Sequence, residues 1–184
     1  MENDGYQVIQ KYGVTLRRLT HDKIEMVRRW RNDPKIQQYM EYREEITPEM
    51  QEKWFERINN SKRDFYFVIE FDNKEIGLIN IRDVNFEKGE GEPGIFIWDD
   101  DYLETDAPMR ASFCMGYFIW EVLKLKRQII HILRSNKRAI KYNLSFGFIL
   151  GEGQENVENQ EYSLSKDRYL EKTGRLRRFL EKNN

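Results

Sequence analysis

The stretch that decides the fold is residues 92–148: EPGIFIW (92–98), DDDYLETDAP (99–108), MRASFCMGYFIWEVL (109–123), QIIHIL (128–133) and SNKRAIKYNLSFGF (135–148). It reads as strand, acidic loop, helix, strand and short helix. A strand that runs through a loop into a helix start is a site-making arrangement, because the first helical turn carries amide donors with no intrahelical partner and these suit an anion. Asp106, Ala107 and Pro108 open the long helix, whose Phe113, Tyr117 and Trp120 give it apolar residues on more than one side. Ser135 is read as the cap of a helix over residues 137–144, and Phe148, Ile149 and Leu150 resume as strand.

Outward from this stretch the same two periodicities continue. Residues 65–71 (FYFVIEF) and 75–84 flank the turn Asp72-Asn73-Lys74 and form a hairpin. Residues 85–91 are a charged connection to the strand at 94–98. Upstream, residues 14–19 read as a short strand. Asp22 with Glu25 then fits a capping box, and Ile24, Val27 and Trp30 fall at helical spacing before Asn32-Asp33-Pro34. A short helical turn over 34–40 follows. Thr47-Pro48 starts a further helix with Met50, Trp54 and Ile58 as its buried stripe. Residues 151–159 are a polar loop and 160–164 a last strand. Ser165 caps a basic helix interrupted at Gly174. Residues 1–12 read as a loose lead-in, and with no internal repeat or low-complexity linker, residues 13–184 are one mixed α/β domain.

Composition narrows the function classes. The chain has 184 residues, with 31 Lys plus Arg against 32 Asp plus Glu, so no global field points to nucleic acid or an anionic membrane. The single cysteine, Cys114, excludes an internal disulfide, and in its apolar surroundings it reads as packing. The opening MENDGYQVIQ lacks the apolar core of a signal peptide, and no apolar run has the length of a membrane span. A cytoplasmic location follows. His21 and His131 read as structural, and no His, Cys or carboxylate cluster has metal spacing.

Three landmarks in order, Arg29-Trp30-Arg31-Asn32-Asp33-Pro34, Glu92-Pro93-Gly94-Ile95-Phe96-Ile97, and Asn136-Lys137-Arg138-Ala139-Ile140 with Phe146-Gly147-Phe148, carry a family resemblance. The chain resembles the GNAT acetyltransferases, and within them the branch of ribosomal-protein and sugar-nucleotide N-acetyltransferases. The resemblance implies a central, mostly antiparallel twisted sheet, splayed between the family's fourth and fifth strands, with helices on both faces. It implies acetyl-CoA as cosubstrate and direct attack of a primary amine on the thioester.

Residue by residue, the resemblance sets Phe96, Ile97 and Trp98 along the pantetheine arm. The diphosphate turn falls on Leu103 to Asp106, bringing Glu104, Thr105, Asp106, Ala107 and Arg110 to the cofactor, with Asn136 and Ala139 from the closing helix. Both glycine positions of that turn are acidic here, at Glu104 and Asp106. A carboxylate about 4 Å from a phosphate costs roughly 4 kcal/mol at an effective dielectric near 20, and a helix terminus returns at most about 2 kcal/mol. Three outcomes stay open. Asp106 caps the helix, with Glu104 turned to solvent and Arg110 available to phosphate; the acidic loop binds another ligand; or the site is a relic.

Glu92 matches the family's general-base glutamate and Asn136 the asparagine that holds cofactor or substrate, although both also read as ordinary loop-end and capping residues. The family's thiolate-protonating tyrosine falls on Asn143, which cannot donate that proton, and Tyr142 one residue earlier is the substitute candidate. Arg31, Asn32, Tyr39 and Met40 are the acceptor-side candidates. The leading reading is an N-acetyltransferase for an aminosugar nucleotide or a protein N-terminus, with a polyamine as a further acceptor and the protein as monomer or homodimer. Two other readings are kept. One is a non-catalytic or differently liganded binding module, and the other a partner protein that docks through Arg175, Arg177 and Arg178.

Overall fold

The computed structural model describes residues 6–182. Its first element is a hairpin: β1 (Val8–Lys11) pairs antiparallel with β2 (Val14–Arg18) around Tyr12 and Gly13, which sit at φ 58° and 74°. Two successive positive-φ residues make the tight turn whose twist matches a strand pair. Residues 8–11 therefore belong to the sheet, and Ile9 packs into the core where a loose lead-in was expected. Residues 1–5 of that lead-in lie outside the described residues.

Then follow α1 (Ile24–Asn32), α2 (Pro34–Gln37), α3 (Pro48–Asn60), β3 (Phe65–Phe71), β4 (Lys74–Asn85), β5 (Glu90–Ile97), α4 (Asp100–Leu103), α5 (Ala107–Tyr117), β6 (Arg127–Leu133), α6 (Lys137–Phe146), β7 (Ile149–Leu150), β8 (Asn159–Ser165) and α7 (Lys166–Lys182). The described strands form one sheet in the order β1-β2-β3-β4-β5-β6-β8-β7. Every neighbouring pair is antiparallel except β5 and β6, which are parallel.

Strand alternation divides the apolar residues between two cores, one on each face of the sheet. Phe65, Phe67, Ile79 and Ile81 pack with Phe113, Phe118 and Trp120 of the α5 segment and Tyr169 of α7. Tyr66, Val68, Leu78 and Trp98 pack on the opposite face with Val27, Ile36 and Phe55 of the three N-terminal helices. Helices thus cover both faces, and the single mixed α/β domain expected from the sequence is what forms.

Several local expectations are corrected. Lys23, without a side-chain cap, precedes α1, because Thr20 donates to Asp22 and Glu25 is taken by Arg28 and Arg29. The buried side of α3 is Gln51, Phe55 and Ile58, while Met50 is exposed. Asn136, one residue after the expected Ser135, caps α6 by accepting from the Ala139 amide at 3.0 Å. Helix α7 runs through Gly174 unbroken; that glycine lies on the buried side with Tyr169 and Thr173, so tertiary packing outweighs its propensity cost of about 1 kcal/mol. The acidic loop also holds the short helix α4, capped by Asp99, which accepts from the Asp101 amide. Finally, Gly147 ends α6 at φ 102°, a conformation that glycine adopts without strain.

Candidate active site

The sheet opens at one place. Strands β5 and β6 share the bridges Glu90–Arg127 and Gly91–Gln128 and then part, β6 keeping β8 on its other edge. Beyond Gly91, the β6-facing edge of β5 has no ladder partner among the described residues. The Trp98 amide donates to Ile76 of β4 at 2.9 Å. Backbone groups alternate sides along a strand, so Phe96 also points to β4, whereas Ile95 and Ile97 aim their amides and carbonyls into the opening. Pro93 has the same outward parity, where no ladder donor is needed. Of the residues expected along the pantetheine, Ile97 faces the opening. Phe96 and Trp98 are turned to β4, and the Trp98 carbonyl accepts from Lys35 Nζ at 2.9 Å.

A charged chain crosses the floor of this opening. Arg82 of β4 donates to Glu92 Oε1 at 2.8 Å, His131 Nδ1 lies 3.3 Å from the same oxygen, and His131 Nε2 is 3.9 Å from Glu161 of β8. Glu92 is only 19% exposed and His131 37%. Strand register explains the meeting, since Glu92 faces Arg82 across β4–β5 and His131 faces Glu161 across β6–β8.

The wall formed by α1 and α2 carries the acceptor-side candidates, and they differ in commitment. Both amide atoms of Asn32 bind Ile46, accepting from its amide and donating to its carbonyl at 2.9 Å each, so Asn32 holds the loop before α3. Met40 packs against the N-terminal helical core and Tyr39 is exposed. Arg31 is the exception. Its Nε is buried without a hydrogen-bond partner, and no ion pair joins it to any described residue. Burial lowers the pKa of its guanidinium, with Tyr66 opposing and Arg82 adding to the effect. Beside it, Trp30 stacks parallel on Trp98 with centroids 6.1 Å apart, and Lys35 Nζ lies 5.0 Å from the Trp30 ring.

Residues 14–149 match the model of the acetyltransferase (GNAT) domain. The chain belongs to the GNAT family. Solved structures show the same fold at low identity. A nucleotide-linked sugar GNAT in its apo form matches with TM-score 0.77 and 18% identity over 94% of this chain and 98% of that one. Vibrio cholerae spermidine N-acetyltransferase in complex with CoA and spermine matches with TM-score 0.73 and 20% identity over 87% and 99%. A Brucella melitensis GCN5-related N-acetyltransferase matches with TM-score 0.73 and 16% identity over 96% and 86%. No curated protein matches the sequence significantly. GNAT enzymes use acetyl-CoA, and membership supports acetyl transfer in general terms.

Between α4 and α5, where the resemblance sets a diphosphate turn, the acidic residues are already engaged. Asp106 stands at the N-cap position of α5 but makes no capping hydrogen bond; it accepts instead from Arg110 Nε at 2.7 Å. Arg110 also donates to the Tyr12 carbonyl, so it is held away from the availability the sequence suggested. The cap comes from Thr105, whose Oγ1 accepts from the Ala107 amide at 3.2 Å. Pro108, next in line, has no amide hydrogen. The helix start therefore offers few donors to an anion. Glu104 is 86% exposed and pairs with Arg138 of α6 at 2.8 Å, a surface bridge of about 0–1 kcal/mol that a phosphate can displace.

On α6, Asn143 donates back to the Ala139 carbonyl and Asn136 keeps its Oδ1 on the cap. Tyr142 turns toward α5: its hydroxyl donates to the Pro108 carbonyl at 2.9 Å and lies 2.7 Å from Ser112 Oγ. Burial raises the pKa of this phenol, so Tyr142 ties two helices together and is poorly placed to give a proton to a thiolate. Sequence reasoning missed Arg82, Lys35 and the meeting of His131 with Glu92. The only signal was parity, with His131 a polar member of a strand whose Ile130 and Ile132 are buried.

Proposed function

We propose that this GNAT protein is an acetyl-CoA-dependent N-acetyltransferase whose acceptor is a primary amine in a molecule that also carries an oxyanion. A nucleotide-linked aminosugar stands first and a protein N-terminus second. The observation that supports this acceptor is Arg31, a half-buried guanidinium in the acceptor wall whose Nε is sealed from solvent and which has no counter-charge among the described residues. An unpaired buried charge is costly, and a planar fork matches phosphate or carboxylate in two hydrogen bonds. The stacked Trp30 and Trp98 add an apolar wall beside it. A polyamine would bring more positive charge to Arg31 and Arg82.

For acetyl-CoA, the unpaired edge at Ile95 and Ile97 supports pairing with pantetheine amides. The diphosphate would be met chiefly by side-chain cations of α6, with Arg138 foremost, since Thr105 and Pro108 reduce the helix-terminal donors. Acetyl-CoA supplies the activated acetyl group; Glu92 lies on the floor of the opening beside Arg82 and His131.

Thiol release from acetyl-CoA, followed with a UDP-linked aminosugar, an N-terminal peptide amine, a neutral aminosugar and spermidine, tests the proposal. We expect kcat/KM for the UDP-linked amine to exceed that for the neutral sugar and for spermidine at least ~10-fold, equivalent to about 1.4 kcal/mol. Equal or better turnover of spermidine overturns the acceptor assignment. The second reading, a binding protein without transferase activity, is favoured by the committed start of α5 and by Asn143. CoA binding with no thiol release from any amine would establish it.

A further inference from the structure

We infer that His131 is the group that takes the amine proton and returns it to the leaving thiol, with Glu92 as the carboxylate that orients it. The inference rests on the acetyl-transfer reading and reassigns the base within it.

Glu92 stands between Arg82 of β4 and His131 of β6. Its Oε1 is shared by two donors, Arg82 Nη2 at 2.8 Å and His131 Nδ1 at 3.3 Å. A carboxylate beside Nδ1 favours the tautomer with the hydrogen on that nitrogen, which leaves Nε2 with its lone pair. That nitrogen is not otherwise committed: its nearest charged neighbour is Glu161 Oε2 at 3.9 Å, beyond hydrogen-bond reach. Three charged groups face the imidazole or its partner, namely Glu92 of β5, Arg82 behind it on β4, and Glu161 of β8. Arg82 holds the Glu92 carboxylate in place beside Nδ1.

His131 is also where a proton carrier is needed. Its side chain spans the divergence of β5 and β6 just past their last bridge at Gly91 and Gln128, on the floor of the opening, and is 37% exposed. The other candidates are elsewhere or of the wrong chemistry. Asn143 holds no transferable proton, and Tyr142 is sealed against Ser112 and Pro108.

The step balances with one imidazole. His131 Nε2 removes a proton from the attacking amine as the nitrogen bonds to the thioester carbonyl carbon. When the C–S bond breaks, the imidazolium gives that proton to the departing sulfur. The products are the amide and the free thiol, with His131 neutral again and no other reactant required.

Kinetics of the full chain with acetyl-CoA and the best amine acceptor test the inference from pH ~5.5 to ~9.5. A positioned acid–base group contributes about 10²–10⁴-fold. His131→Gln is therefore expected to lower kcat ~100-fold or more, to leave both KM values within ~3-fold, and to remove the acid limb of the wild-type profile. Glu92→Gln is expected to retain an acid limb, with a smaller loss of about 10-fold in kcat. The inference is overturned if His131→Gln stays within ~3-fold of wild type while Glu92→Gln abolishes the limb. Unchanged thermal unfolding of both variants separates chemistry from misfolding.

A second readout does not depend on turnover. Nitrogen-15 NMR of the His131 ring should show the hydrogen on Nδ1 in the wild type and lose that preference in Glu92→Gln. A hydrogen on Nε2 in the neutral wild-type ring refutes the assignment. Failure of every amine to release thiol refutes the transferase reading itself, and the ring measurement then still decides the role of Glu92 toward His131.

Discussion

The opening between β5 and β6 and the turn between α4 and α5 are the two ends of one expected cosubstrate groove, and they are built on different principles. At the opening the recognition groups are main-chain amides and carbonyls, exposed because β6 parts from β5 after Gly91. Such groups survive almost any change of side chain. At the turn, recognition depends on side chains being absent, and here Glu104, Asp106, Thr105 and Pro108 are present. The backbone-defined end thus has free ladder groups to offer, while the side-chain-defined end is occupied by its own charge pairs. Its acidic charges are neutralised by Arg110 and Arg138, which keeps them from opposing a phosphate directly.

Arg31→Met should cost about 2 kcal/mol in kcat/KM for an oxyanion-bearing amine, the range of a charge-assisted hydrogen bond, with the KM for acetyl-CoA unchanged. The same variant should unfold at an equal or higher temperature, because it removes a buried charge without a partner. A lower kcat/KM accompanied by a lower unfolding temperature would mean that Arg31 is structural.

Glu104→Gly with Asp106→Gly is expected to tighten CoA binding about 10-fold in calorimetric titration, near 1.4 kcal/mol, while affinity for pantetheine, which lacks the diphosphate, stays the same. If both ligands respond alike, the turn does not meet the diphosphate.

Smaller effects follow from the charge pairs. Glu92→Ala, which strands a half-buried Arg82, should lower stability by about 1 kcal/mol in urea unfolding. Arg138→Ala should change stability by less than about 0.5 kcal/mol, since its bridge to Glu104 is solvated. Smallest of all, Cys114, with burial pushing its thiol up to about 12, should give no reaction with a thiol reagent at pH 8 in the native protein. Rapid labelling there would show that α5 opens.

Much of the fold was legible in the sequence because periodicity and punctuation agree there. Phe65 to Phe71 is an aromatic and β-branched run, as a strand buried on both faces should be, Thr47-Pro48 starts a helix and accepts from the Met50 amide as a cap, and Asn136 to Phe148 closes the domain with its glycine at positive φ. What failed were contests settled by tertiary contacts. Gly174 remains helical because its side of α7 is buried, and residues 8–11 join the sheet because Ile9 has a core to enter.

The candidate site was legible by position more than by chemistry. Glu92 and Asn143 are singled out through the family resemblance, but the pairing of Glu92 with His131 needs strand register, which composition does not contain. Likewise the parity that selects Ile95 and Ile97 over Phe96 depends on which edge of β5 is covered. That Asn32 is spent on Ile46 while Arg31 next to it is unpaired follows only from three-dimensional contacts.

Amide hydrogen exchange with and without CoA decides whether the bare edge of β5 or the start of α5 receives the proposed cosubstrate. The account predicts that CoA slows exchange at Ile95 and Ile97, with little change at the first α5 amides, Ala107 and Met109. Protection confined to Ala107 and Met109, or no protection at Ile95 and Ile97 under saturating CoA, would contradict it.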